Sequence, residues 1–144
     1  MTDAQCRCGA VRLSVSGQPK TVVACHCLDC QRRTGAPFGA GAFYPTEAVA
    51  SSGAATQYTR VADSGGKVHS FFCPTCGSSV YWKADNLPGF IGVAIGAFAG
   101  AEAPAPAISI FEQSKHAWAQ IEGPAVAHFP QGTLPRSSAK SVTP

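Results

Sequence analysis

The stretch KVHSFFCPTCGSSVYWKA, Lys67 to Ala84, reads as a strand, a chelating turn and a second strand. Aromatic and β-branched residues flank Cys73-Pro-Thr-Cys76-Gly77 on both sides, as extended segments of a sheet require. A CxxC turn aims two thiolates at one point, and the glycine after it permits the tight backbone. A hairpin whose turn is a metal chelate points to an all-β domain in which an ion supplies part of the stability.

Working outward, the same pattern repeats. DSGG (63–66) is a hairpin turn preceded by the short strand TQYTRVA. AVRLSVS (10–16) alternates Val11, Leu13 and Val15 inward with Arg12, Ser14 and Ser16 outward. TVVACHC leads as a strand into a second cysteine group. APFGAGAFY, FIGVAIGAF and AISIFEQ complete the strand set, and TEAVASSGAA is read as a connection with one helical turn after Thr46 as its N-cap. No segment carries a sustained 3.6-residue apolar stripe. The expectation is one all-β domain of antiparallel sheets with little helix over residues 1–123. A Pro- and Ser-containing surface tail is expected over 124–144.

The 144 residues suit a single core, and 45% apolar content is enough to fill it. Only 13% are charged, which excludes a solvated, disordered chain. The net charge of +3 comes from 11 scattered Lys and Arg, with Arg32-Arg33 the one adjacent pair, so a nucleic-acid partner is not expected. The N-terminus lacks the form of a secretory signal, and the apolar run from Phe90 to Ala101 is shorter than a membrane span. Its Gly92, Gly96 and Gly100 fit a buried strand with close backbone neighbours. No membrane association and a cytoplasmic location are expected.

Seven cysteines with no export signal argue for metal rather than disulfides. They fall in three groups: Cys6 and Cys8, then Cys25, Cys27 and Cys30, then Cys73 and Cys76. Spacing alone does not settle which groups pair. Joining the CxC pair to the distant CxxC leaves the central trio as a three-ligand site with an open position, the arrangement of catalytic zinc. The competing readings are an iron–sulfur cluster, a redox CxxC, and two structural zincs with His26 or another histidine closing the trio. Around the trio, Asp29 is read as capping the turn. Arg32, and with it Arg33, is a candidate clamp for a substrate carboxylate. His26 is read as pointing away from the metal, and His69 as structural. Phe71, Phe72, Tyr81 and Trp82 are read as core, and Trp118 as packed. His116 and His128 carry no signal.

The segments CRCGAVRL, CHCLDCQRRTGAPFG, HSFFCPTCGSSVYW and SIFEQSKHAWAQI, spanning about Gln5 to Ile121, resemble the glutathione-dependent formaldehyde-activating enzyme family, also called the CENP-V/GFA domain family. The resemblance implies a β-tent fold and two zinc ions. Carried over by motif, Cys6, Cys8, Cys73 and Cys76 would hold a structural ion, and Cys25, Cys27 and Cys30 a catalytic one. It also implies a carbon–sulfur lyase-type activity on a small thiol or its adduct, of the glutathione and S-hydroxymethylglutathione kind. The chain departs from the founding enzyme in its short connections between Tyr44 and Tyr58 and between Trp82 and Ile108, which leave less loop to grip a tripeptide. The rival class is a non-catalytic zinc module for protein or nucleic-acid interaction. Oligomeric state has no readable signal.

Overall fold

A computed structural model describes residues 1–133. Among these residues eleven strands form two sheets. The strands β1 (Thr2–Gln5), β2 (Arg12–Val15) and β5 (Val49–Ser52) make a three-stranded antiparallel sheet in the order β1-β2-β5. The remaining strands are β3 (Thr21–Cys25), β4 (Gly39–Pro45), β6 (Thr56–Val61), β7 (Lys67–Phe72), β8 (Ser79–Ala84), β9 (Phe90–Ala94), β10 (Ile108–Ile110) and β11 (Ala127–His128). They build an eight-stranded sheet in the order β11-β10-β3-β4-β9-β8-β7-β6.

The core lies where the two sheets face each other. Val11, Leu13 and Val15 are buried as their alternation requires, against Val22, Ala42, Tyr44, Val80, Ile91, Val93 and Phe98 of the large sheet or the turn after it. Burying such side chains contributes about 1.5–3 kcal/mol each.

The mostly-β expectation holds, with three differences. The pairs β10–β3 and β10–β11 are parallel, so the large sheet is mixed rather than antiparallel. The TEAVASSGAA connection keeps its helical turn at Thr46–Ala48, capped by Pro45 rather than Thr46, and then forms β5 against β2. Among the described residues one α-helix, α1 (Leu28–Thr34), starts inside the central cysteine group and runs past it. Seven residues are too few to write a stripe into the sequence.

Residues 127–131 lie within the stretch expected as a tail, yet they are hydrogen-bonded to the β10 segment, through Ala127 N–H to Ala107 O, Phe129 N–H to Ser109 O and Phe111 N–H to Gln131 O. Ordered structure therefore continues past Gly123. The rest of the expected tail, from 134, lies outside the described residues. The apolar run from Phe90 splits into β9 and a 3-10 turn at Ile95–Phe98. Of its three glycines only Gly92 has a close neighbour, and that neighbour is the Trp82 ring rather than backbone. Among the described residues no helix is long and apolar enough to cross a membrane.

Candidate metal centres

The chain folds two cysteine clusters at one end of the strands. Cys6 and Cys8 follow β1, and Cys73 and Cys76 form the turn between β7 and β8. All four sulfurs lie within 4.8 Å of one another. The Sγ–Sγ distances Cys6–Cys8 and Cys8–Cys73 are both 3.7 Å. A tetrahedral ion with Zn–S bonds of about 2.3 Å requires edges near 3.8 Å, so the quartet fits one zinc and leaves no room for a multi-iron cluster.

Backbone donors are arranged for thiolates. Val11 N–H reaches Cys6 Sγ at 3.2 Å and Thr75 N–H reaches Cys73 Sγ at 3.4 Å. The Ser78 hydroxyl, 3.3 Å from Cys76 Sγ, and then the Ser78 N–H hold the Cys76 thiol down to about 5. Gly77 adopts φ 78° and returns its N–H to Cys73 O, which closes the turn. Because β1 belongs to the small sheet and β7 and β8 to the large one, this cluster staples the two sheets together.

The second cluster is Cys25 at the end of β3 with Cys27 and Cys30 on the entry to α1, again within 4.8 Å. Cys27 is the helix N-cap, and its sulfur accepts the Cys30 N–H at 3.3 Å. A sulfur in the place normally taken by Ser or Asp explains why no helix start is visible in the sequence. Gly35, with φ 65°, ends the helix by donating to Gln31 O.

The three thiols oppose one another's ionisation. Hydrogen bonding to Cys27 and Cys30, and then burial, push the Cys25 thiol far up. The bond with Cys25 lowers Cys30, yet its bond with Cys27 and burial leave it raised to about 11. Cys27 alone is held low, by bonds from Cys25 and Cys30 and by the charge of Arg60. A fully ionised trio needs a cation, and this donor set fits zinc as the quartet does.

All seven cysteines are free thiols, and no histidine joins either cluster among the described residues. His26 therefore does not close the trio. Its ring is fully buried beside Phe38, with Nε2 3.0 Å from Ser109 Oγ. Ser109 in turn donates to Glu112, which also holds His128 at 2.8 Å.

Other residues sit differently from expectation. Asp29 does not cap the turn; its Oδ2 lies 3.1 Å from Arg60 Nε, without the alignment of a hydrogen bond. Arg60 is on the edge strand β6, so the large sheet coils until its edge meets α1. Arg32 is exposed, whereas Arg33 is half-buried with its guanidinium 4.5 Å over the Trp82 ring. Trp82 is not core: it lies across Gly41 and Gly92 on the face of the sheet opposite Tyr81. Phe71 and Tyr81 stack, half-buried, at 4.6 Å. Trp118 does not pack into the protein; it is 73% exposed and stacks on His116. His69 bonds Asp85 and Thr59, away from both clusters.

Arg60, Gln31, Ser109 and Glu112 were not singled out from sequence. Gln31 donates to His26 O and Ser114 O and pairs with His116 Nε2 at 2.8 Å, tying the cysteine loop to the segment after β10. The closing motif SIFEQSKHAW marked that segment without revealing what its side chains do. A cleft of about 880 Å³ opens beside the quartet, lined by Cys6, Arg7, Arg33, Phe38, Ser78 and Ile95 among others, and none of the trio cysteines lines it. That size is ample for a small ligand.

A family model described as glutathione-dependent formaldehyde-activating enzyme matches residues 1–114. No curated protein sequence matches the chain. Among solved structures, the chain is similar to a crystal structure of a Rhodobacter sphaeroides protein determined as a structural genomics target. The identity is 25% and the TM-score 0.55, over 70% of this chain and 91% of that one. With the family pattern running through both cysteine clusters and the match covering most of its length, the chain belongs to the glutathione-dependent formaldehyde-activating enzyme family.

Proposed function

We propose that this protein is a zinc-dependent enzyme of carbon–sulfur lyase type, acting on a small thiol or thiol adduct of the glutathione and S-hydroxymethylglutathione kind. The inequality of the two clusters carries the reading. Four sulfurs complete one tetrahedron, while the other cluster gathers three with no fourth protein ligand among the described residues. Zinc with four protein ligands is structural, and zinc with three keeps a position for an outside group. Cys6, Cys8, Cys73 and Cys76 would hold the structural ion, and Cys25, Cys27 and Cys30 the catalytic one.

Bound there, a soft, thiolate-ligated zinc supplies affinity for one more sulfur and favours its thiolate form at neutral pH. The protein's part is placement. The Cys30 N–H orients the Cys27 sulfur, and Gln31 fixes the loop that carries all three cysteines. The cleft that Arg33 lines would seat the rest of the thiol. In the condensing direction the substrate sulfur bonds to the formaldehyde carbon. The carbonyl π pair moves to oxygen, which takes up the proton the thiol gave. The reverse breaks the same carbon–sulfur bond. The disulfide-free thiol set fits a reducing compartment, the cytoplasm.

The test is exchange NMR of glutathione with formaldehyde, with and without protein. Wild type should accelerate S-hydroxymethylglutathione formation above the spontaneous rate, and Cys30→Ser should not. A wild-type rate equal to buffer, with no thiol binding by calorimetry, overturns the proposal.

A further inference from the structure

Arg33 is a cation that the cleft presents to a ligand, and its setting is built rather than incidental. The Trp82 ring lies beneath it, in a slot that exists because two glycines lack side chains. A Cβ at Gly41 would meet the ring at 2.4 Å, and one at Gly92 at 2.5 Å. On its other side the guanidinium fills the notch above Gly39, where a Cβ would lie 2.7 Å from Arg33 Nη2 and 3.3 Å from Cys30 Cβ. Arg33 Nη2 and Cys30 Cβ thus both border the space above Gly39.

Among the described residues the ion pairs Arg60–Asp29, His69–Asp85 and His128–Glu112 leave Arg33 out. The cleft that Arg33 lines also carries Arg7, and no acidic side chain lines it. A half-buried guanidinium stacked on an aromatic face can turn its planar fork of donors to an incoming anion, and a carboxylate matches that fork with two hydrogen bonds. Arg32, the neighbour singled out from sequence, is exposed and lines none of the cleft.

We propose that Arg33, seated on Trp82 by the Gly41–Gly92 slot, is a specificity-determining residue that makes the site select thiols bearing a carboxylate. The carboxylate lies on Arg33 in the cleft and the sulfur turns toward Cys25, Cys27 and Cys30. Arg7, which also lines the cleft, adds charge. This inference rests on the thiol reading above, and its test separates the two.

Zinc-loaded protein is titrated calorimetrically with N-acetylcysteine and with N-acetylcysteamine, which share a thiol arm but differ in the carboxylate. Wild type should bind N-acetylcysteine about tenfold more tightly or better. Arg33→Ala should abolish that preference by weakening N-acetylcysteine alone. Arg33→Lys should recover part of it, and Arg32→Ala should keep all of it. Zinc content is measured on each sample, and Arg33→Gln replaces the alanine variant if the latter loses metal. A preference that survives both Arg33→Ala and Arg33→Gln overturns the assignment. So does equal binding of the two thiols by wild type, which leaves the thiol reading intact. Absence of binding by either thiol defeats both.

Discussion

Cys8 Sγ and Cys73 Sγ stand 3.7 Å apart although 65 positions separate them along the chain. That contact joins the turn after β1 to the turn before β8, and so joins the small sheet to the large one.

Losing it should therefore unfold the domain. A structural zinc contributes roughly 10–16 kcal/mol in small peptides, as much as or more than the whole stability of a typical domain. Cys73→Ser should lose the cooperative thermal transition. Cys30→Ser should remain folded and retain metal only at the quartet. Circular dichroism melts with elemental zinc analysis separate the two outcomes, and equal damage from both variants contradicts the division of labour.

The slot under Trp82 predicts an overpacking effect. Gly92→Ala places a methyl group 2.5 Å from a ring held between two sheet positions, which should cost about 1–3 kcal/mol in urea unfolding. Adding Trp82→Leu should give a double variant less destabilised than the sum of the two single changes, because the clash is then gone.

Trp118 and Phe98 make a paired test of burial. Phe98 is fully enclosed in the core, and Phe98→Ala should cost about 3–5 kcal/mol. Trp118 is exposed, and Trp118→Ala should change stability by no more than about 0.5 kcal/mol. Equilibrium denaturation of both variants measures the contrast.

The His69–Asp85 pair links β7 to the loop after β8 at 2.9 Å. That hydrogen bond, opposed by burial and helped by the Lys67 N–H, holds the Asp85 carboxyl below its ordinary 3.8. A carboxyl lowered in the folded state stabilises above its unfolded value and stops doing so as pH falls through the folded one. Asp85→Asn should thus be less stable than wild type at pH 7 and at pH 5, with the gap narrowing only below about pH 3.8. Carboxyl NMR should place the Asp85 midpoint below 3.8, and His69→Ala should return it upward.

How much of this was visible in sequence depends on distance along the chain. The three cysteine groups, the alternation of Val11, Leu13 and Val15, and the β7–β8 hairpin are local patterns, and they read correctly. β1, β5 and β11 are two to four residues long and owe their existence to partners elsewhere, so nothing in their own composition marks them. The meeting of Arg60 with Asp29 depends on the coil of the whole sheet. The choice of Arg33 over Arg32 depends on helix phase, and the helix began at a cysteine. Trp118 was misjudged because a tryptophan in a family-like motif resembles core until its surroundings are known.

The two clusters also differ in how a chain can acquire their ions. The trio is complete within six positions and needs almost no loop closure, whereas the quartet must gather ends across most of the domain at an entropic cost that grows with the enclosed length. As the chain is synthesised, the trio becomes a chelator when Cys30 emerges and the quartet only when Cys76 does. Metal capture at these two sites would therefore be ordered in time. The site read as catalytic could load first, and an ion at the quartet, which would lock the sheets together, would come last.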